Sequence, residues 1–333
     1  MVFHIHNDDI WRQQVLYKQI AKVLLVPIIA SVSGLSALAA EDCIPPKSNY
    51  SNIQCTDDAQ LFVAYDDDYR PQALLNKQGK VTASLKAFDK VQAWLYSDGF
   101  MPVLKNDKVG YINAQGKLVV PTIYDNLIGP DDKYNEVWAN PVYQGKIVVG
   151  KDGAYGVIDT SNKVILSFEN NYVMIDPFSN DRAPVYDFNT ELWGLIDTNG
   201  KEVVAPQYDG LDGHLGGHYG FHEGLLGVIK DDKWGFVTKT GAVAVPFIYD
   251  EIRPFSEQLA GVRKGKSWGF IDGANRTVIP FKFSDDKVQR MSVTSFGATY
   301  FNFNNGTAQI EEKNDGTSVC INKLGKIVAC SEW

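Results

Sequence analysis

Seven short phrases along the chain close on Gly79, Gly116, Asn162, Gly200, Gly241, Asn275 and Gly325. Three residues before each of these stands Asn76, Asn113, Asp159, Asp197, Thr238, Asp272 or Asn322. A short polar side chain that can bond its own turn, followed by a residue that tolerates the left-handed region, marks a three-residue hairpin loop: a type I turn and then one left-handed residue. Glycine enters that region freely and asparagine most easily of the rest. Recurrence at a mean interval of about 41 residues makes the chain a tandem array of β-hairpin modules, which excludes a doubly wound or helical fold.

The phrase before each corner is an aromatic, a glycine, two apolar residues and a small polar one. It is intact at Trp193-Gly194, Trp234-Gly235 and Trp268-Gly269, and keeps its glycine at Val109-Gly110 and Tyr155-Gly156. Weaker copies lie at Ala73 and Val319. After the corner comes a β-rich arm with a proline, as in Lys117 to Pro121, Lys201 to Pro206, Ala242 to Pro246 and Arg276 to Pro280. Proline donates no ladder bond, so each arm is expected to end, or to reach a sheet edge, at the Pro. An aromatic with an acid follows: Phe88-Asp89, Tyr124-Asp125, Phe168-Glu169, Tyr208-Asp209 and Tyr249-Asp250. Aromatic-led segments at Phe178-Ser179, Phe221-His222-Glu223 and Phe255-Ser256-Glu257 lead into the next copy, where Lys230 to Lys233 and Lys264 to Lys266 predict tight hairpins. Alternation places Trp234 and Phe236 on one face and Gly235 and Val237 on the other. The glycine is expected to let an aromatic lie flat on the backbone.

The Lys-Trp-Gly-Phe and Ser-Trp-Gly-Phe-Ile-Asp segments, the Gly-x-Val-Val-x-Pro arm and the Tyr-Asp after it resemble the WG repeat family of bacterial proteins over residues 60 to 330. The resemblance implies an all-β repeat protein, commonly exported or envelope-associated, with no reaction, cofactor or catalytic residue attached to it. The expected fold is about seven tandem repeats of three to four short antiparallel strands. Unequal intervals and paired cysteines at both ends favour an open curved array over a closed seven-bladed propeller.

Residues 1–39 read as a signal peptide. Lys18 and Lys22 precede an uncharged run from Val23 to Leu38 that ends in Ala37-Leu38-Ala39, with Glu41-Asp42 after it. The run is short for a membrane span and is diluted by Pro27 and Gly34, so no stable span is expected after cleavage. Residues 1–17 are long for the start of such a signal, which points to a translation start downstream of Met1. Asp42 argues against a lipid anchor on Cys43. The remaining chain divides into a cysteine-bearing segment, 40–59, and the repeat domain, 60–333. Four cysteines, Cys43 with Cys55 and Cys320 with Cys330, suit disulfides in an oxidising compartment, with three connectivities open. Local pairing would close loops of about a dozen residues, each worth roughly 2–3 kcal/mol; bridges between the ends would instead close a ring. The expected location is periplasmic or secreted.

Net charge is −8 and no basic stripe is present, which excludes a nucleic-acid partner. Gly265-Lys266-Ser267-Trp268-Gly269 matches a nucleophile elbow, but its serine precedes a repeat Trp rather than a helix. His214, His218 and His222, spaced by four beside Glu223, are the metal candidates; glycines throughout that stretch make a connector with scattered histidines the expected reading. Acid pairs at Asp57-Asp58, Asp66-Asp67-Asp68, Asp131-Asp132, Asp231-Asp232 and Asp285-Asp286 fall in expected turns, without a calcium-loop pattern. No Walker loop, zincin motif or dinucleotide fingerprint is present. No catalytic residue and no cofactor is therefore assigned. The expected role is an exported, non-catalytic scaffold presenting exposed Tyr, Trp and Asp of its loops to a protein or envelope glycan. The alternative is an extracellular hydrolase of glycosidase type using acids from different repeats.

Overall fold

The computed structural model describes residues 43–127, 137–212, 220–284, 300–312 and 317–331. Those residues are β-strand and turn, with one 3₁₀ turn at Ala93–Leu95. The signal-peptide call, residues 1–39, lies outside them. The chain forms two compact units that meet in sequence between Asn170 and Asn171.

Every repeat is an antiparallel meander. In the fifth, Gly210–Leu211, Leu225–Lys230, Lys233–Thr238 and Val243–Tyr249 pair in sequence order. The described residues of the second unit form four such sheets. The first unit holds one four-stranded sheet and one of seven strands, in which the second and third meanders join only through Asp125 opposite Gly150. Asn52–Cys55, from the cysteine-bearing segment, pairs with Leu61–Tyr65 as the outermost strand of the first sheet.

All seven corners have one geometry. Gly79, Gly116, Asn162, Gly200, Gly241, Asn275 and Gly325 have φ of 75, 73, 68, 74, 81, 60 and 70°. Each donates its N–H to the carbonyl of the opening residue at 2.8–2.9 Å, as Gly200 does to Asp197 and Asn275 to Asp272. The opening side chain then ties the loop from within: Asn113 Oδ1 accepts from the N–H of Gln115 and of Lys117, and Asp272 Oδ1 from those of Ala274 and Arg276. The two asparagine corners have an added partner. Tyr124 donates its hydroxyl to Asn162 Oδ1 at 2.7 Å, and Tyr249 to Asn275 Oδ1 at 2.6 Å, each from the preceding repeat. Tyr208 precedes Gly241, which has no side chain to receive it. Tyr249→Phe is therefore expected to cost about 1 kcal/mol in denaturant unfolding and Tyr208→Phe a few tenths.

Alternation holds as the sequence predicts. Phe236, with Trp234, packs among Tyr249, Ile252, Phe255 and Val262, whereas Val237 packs among Leu195, Tyr208 and Leu226. A sheet too small to bury both faces alone does so between neighbours. The prolines differ from expectation. The fourth strands run straight through them, Leu118–Asp125 through Pro121 and Glu202–Tyr208 through Pro206. The reason is a bulge: Trp193 opposes Tyr208 and Leu195 opposes Val204, so the extra residues around Pro206 leave the ladder, where a missing N–H costs nothing. In the second unit these strands lie at a sheet edge, the other half of the expectation.

That bulge also explains the glycine of each Trp-Gly. A methyl group on Gly235 would stand 2.6 Å from the Val245 carbonyl oxygen and 2.7 Å from the Phe247 ring. On Gly194 it would meet the Val204 carbonyl at 2.6 Å and the Pro206 nitrogen at 2.9 Å. The neighbour is thus the bulged backbone in every intact copy, and an aromatic ring in only some. Disulfides join Cys43 to Cys55 and Cys320 to Cys330, the local connectivity.

Candidate functional site

The acids that the repeat phrase offered for chemistry hold turns instead. The aspartate after each aromatic reaches the tight turn of the following meander. Asp89 accepts from the Asn106 N–H at 2.7 Å, Asp125 from Gly153 at 2.9 Å, Asp209 from Asp231 at 2.8 Å and Asp250 from Gly265 at 2.6 Å. Two of them also pair with the lysine ahead of their own repeat's aromatic, Lys108 to Asp125 and Lys233 to Asp250. The Lys233 ammonium and the Gly265 N–H hold the Asp250 carboxyl below the usual carboxylate range. Burial pushes Asp125 up, but the Gly153 N–H and Lys108 together outweigh it and leave it lowered. A carboxylate held low in the folded chain adds stability above its unfolded pKa, and that stability is lost as pH falls through the folded one. Asp250→Asn is expected to cost about 1 kcal/mol near neutrality, solvent screening included, and progressively less as pH falls through the folded pKa, read from denaturation midpoints against pH.

A second set of acids was legible as a phrase but not as a function. Asp98, Glu223 and Glu257 open two-residue turns with φ near 50°. Asp98 accepts from the Gly145 N–H, Glu223 from Gln258 and Glu257 from Gly306, in each case the matching turn of the next repeat. Phe221-His-Glu and Phe255-Ser-Glu carried that signal. Of the aromatics, Tyr111, Tyr124, Tyr208, Tyr249, Trp138 and Trp268 are buried, whereas Tyr69 and Trp94 are exposed, as the sequence leads one to expect of loop residues.

His222 is exposed and opens the Glu223 turn, bonded through its backbone to Leu225, at the place Ser97, Ser179 and Ser256 take elsewhere. His214 and His218 lie outside the described residues. Among the described residues no group of three or more His, Cys, Asp or Glu is placed to hold a metal ion. Ser267 begins the strand Ser267–Ile271 directly after a two-residue turn, so the strand-to-helix corner of a nucleophile elbow is absent at this serine. Asp231 and Asp232 are the two left-handed residues of a tight hairpin. Asp58 and Asp66 bond the amides of their own loops. Asp131, Asp132, Asp285 and Asp286 lie outside the described residues.

One place varies from repeat to repeat. In four meanders the residue after the first strand donates its N–H to the second strand: Gln92 to Pro102 in the first unit, and in the second Asp176 to Pro184, Asp212 to Gly227 and Arg253 to Gly261. The backbone is constant and the side chain is not. Gln92 is buried, and Asp176 Oδ2 is buried without a hydrogen-bond partner. Burial pushes the Asp176 carboxyl up to about 7. Arg253 lies over the Trp268 ring at 4.5 Å and bonds Glu251 and the Tyr300 carbonyl.

Among solved structures, the chain is similar to a eukaryotic initiation factor at 9% identity, covering 84% of this chain and 77% of that one with a TM-score of 0.44. It is similar to BamB from Moraxella catarrhalis at 10% identity, 87% and 85% coverage and a TM-score of 0.39. It is also similar to Hsv2p of Kluyveromyces lactis at 7% identity, 67% and 74% coverage and a TM-score of 0.36. No curated protein matches it. The family model described as "WG containing repeat" matches residues 110–153, 155–186, 193–234, 234–267 and 268–285, more than half of the chain. With the glycine, corner and bulge of each matched copy accounted for physically, the chain belongs to the WG repeat family.

Proposed function

We propose that this protein is an exported, non-catalytic scaffold whose repeats bind a protein or a cell-envelope glycan. One observation carries the reading: Asp89, Asp125, Asp209 and Asp250, acids that a hydrolase would need free, are engaged in turn-to-turn hydrogen bonds. A frame fixed in this way and repeated along the chain is how repeat proteins present a binding surface. Export is supported by the uncharged run before Ala39 and by two disulfides, which persist in oxidising compartments. No described helix is long and apolar enough to cross a membrane. Affinity capture from envelope extract on the immobilised full chain tests it. Retention of a specific protein or glycan is expected; release of cleaved saccharide on incubation would contradict it.

A second reading, an extracellular hydrolase with acids from different repeats, has Asp176 in its favour. A carboxyl that keeps its proton near neutrality is what a general acid requires, and Asp212 takes the same place in the next repeat. Loss of a measured hydrolytic activity in Asp176→Asn, with the fold retained, would establish it.

A further inference from the structure

The first repeat, like the last, has lost both residues of the Trp-Gly pair. Ala73 holds the glycine place, opposite Ala64 as Gly235 stands opposite Val228. Gln72 therefore stands where the three intact copies carry Trp193, Trp234 and Trp268, and Pro71 where Lys108 and Lys233 stand. Pro71 and Gln72 line a groove of about 480 Å³. Phe88 lies along it half-buried, whereas its counterparts Tyr124, Tyr208 and Tyr249 are covered.

The rim of the groove is also specific to this copy. In repeats two, three, five and six the middle hairpin turns in two residues, as at Asn106-Asp107. Here it is the loop Asp66–Arg70, fixed by Asp66 Oδ1, which accepts from the N–H of Asp68 and of Arg70 at 3.0 and 2.9 Å. The loop displays Tyr69, 66% exposed. Gln72 Nε2 donates to Asp66 Oδ2 at 2.9 Å, which ties the groove wall to the loop. Arg70 and Lys86 supply donors, and Asp89 supplies an acceptor.

An aromatic face bordered by donors and acceptors of both charges fits a ring bearing many hydroxyls, and the volume lies within the range of small-molecule sites. A phosphate or other anion fits less well, because acids share the groove with the bases. We propose that the first repeat binds a neutral saccharide in this groove, with Phe88 as its platform and Lys86, Arg70, Gln72 and Asp89 as its polar partners. The inference rests on the binding-scaffold reading and names the ligand class.

Isothermal titration calorimetry of the full chain with cellotriose and with the β-1,4-linked trimer of N-acetylglucosamine tests it. Saturable binding of at least one trimer is expected, weakened about tenfold or more in Phe88→Ala. Gln72→Trp restores the family residue and should close the groove, abolishing binding while leaving the thermal midpoint at or above that of the parent. Lys86→Met, on an exposed side chain, gives a third readout if the Trp variant does not fold. No heat with either trimer, or affinity unchanged in Phe88→Ala and Lys86→Met, overturns the proposal. Envelope capture that still returns a partner after such a result leaves the scaffold standing and removes the groove alone.

Discussion

Trp268→Ala is expected to destabilise the second unit by about 4 kcal/mol, in the range of buried Trp or Phe truncations. Trp268 is 1% exposed. It stacks on Phe301 with centroids 4.5 Å apart and planes at 7°, and the Arg253 guanidinium lies over it at 4.5 Å. Aromatic stacking and the cation–π contact each add to the area term. Trp234→Ala, at the matching place but half-buried, should cost roughly half as much. Denaturant midpoints of the two variants measure the difference; equal effects would mean that the stack contributes nothing.

Asp176 should make stability fall with rising pH, opposite in sign to Asp250. Burial without a partner for Oδ2 raises its folded pKa to about 7, above the unfolded value. The folded chain then holds the proton more tightly than the unfolded one. Stability is highest below the unfolded pKa, declines from about pH 4 to about pH 7, and levels off above. The loss between pH 5 and pH 8 from this residue is about 2–3 kcal/mol at 1.36 kcal/mol per unit of pKa. Asp176→Asn removes the charge and should be more stable than the parent at pH 8, with a smaller gain at pH 5. A parent and variant that lose stability in parallel over that interval would refute the assignment.

The corners were legible because left-handed backbone restricts residue type so severely that Gly or Asn at a fixed offset is close to a geometric statement. The hairpins at Asp231-Asp232 and Gly265 were legible for the same reason, and so was the alternation about Trp234. The proline bulge was not. A Pro says only that one N–H is missing, and whether the strand stops or swells there depends on the glycine across from it, which is a pairing property. The acid clamps were hidden differently. Asp89, Asp125, Asp209 and Asp250 were visible as a repeated acid, but their partners are backbone amides, which every residue except proline has and no letter records. The groove at Gln72 read as mere degeneration of an end copy, because the absence of a Trp carries meaning only once the space it vacates is measured.

Backbone φ at residues 79, 116, 162, 200, 241, 275 and 325, obtained by NMR from three-bond couplings and chemical shifts, tests the repeat account most directly. Positive values at all seven positions, between about 60 and 80°, are expected. Negative φ at several of them would contradict it, because strands leaving those positions would then diverge and the meanders could not be equivalent.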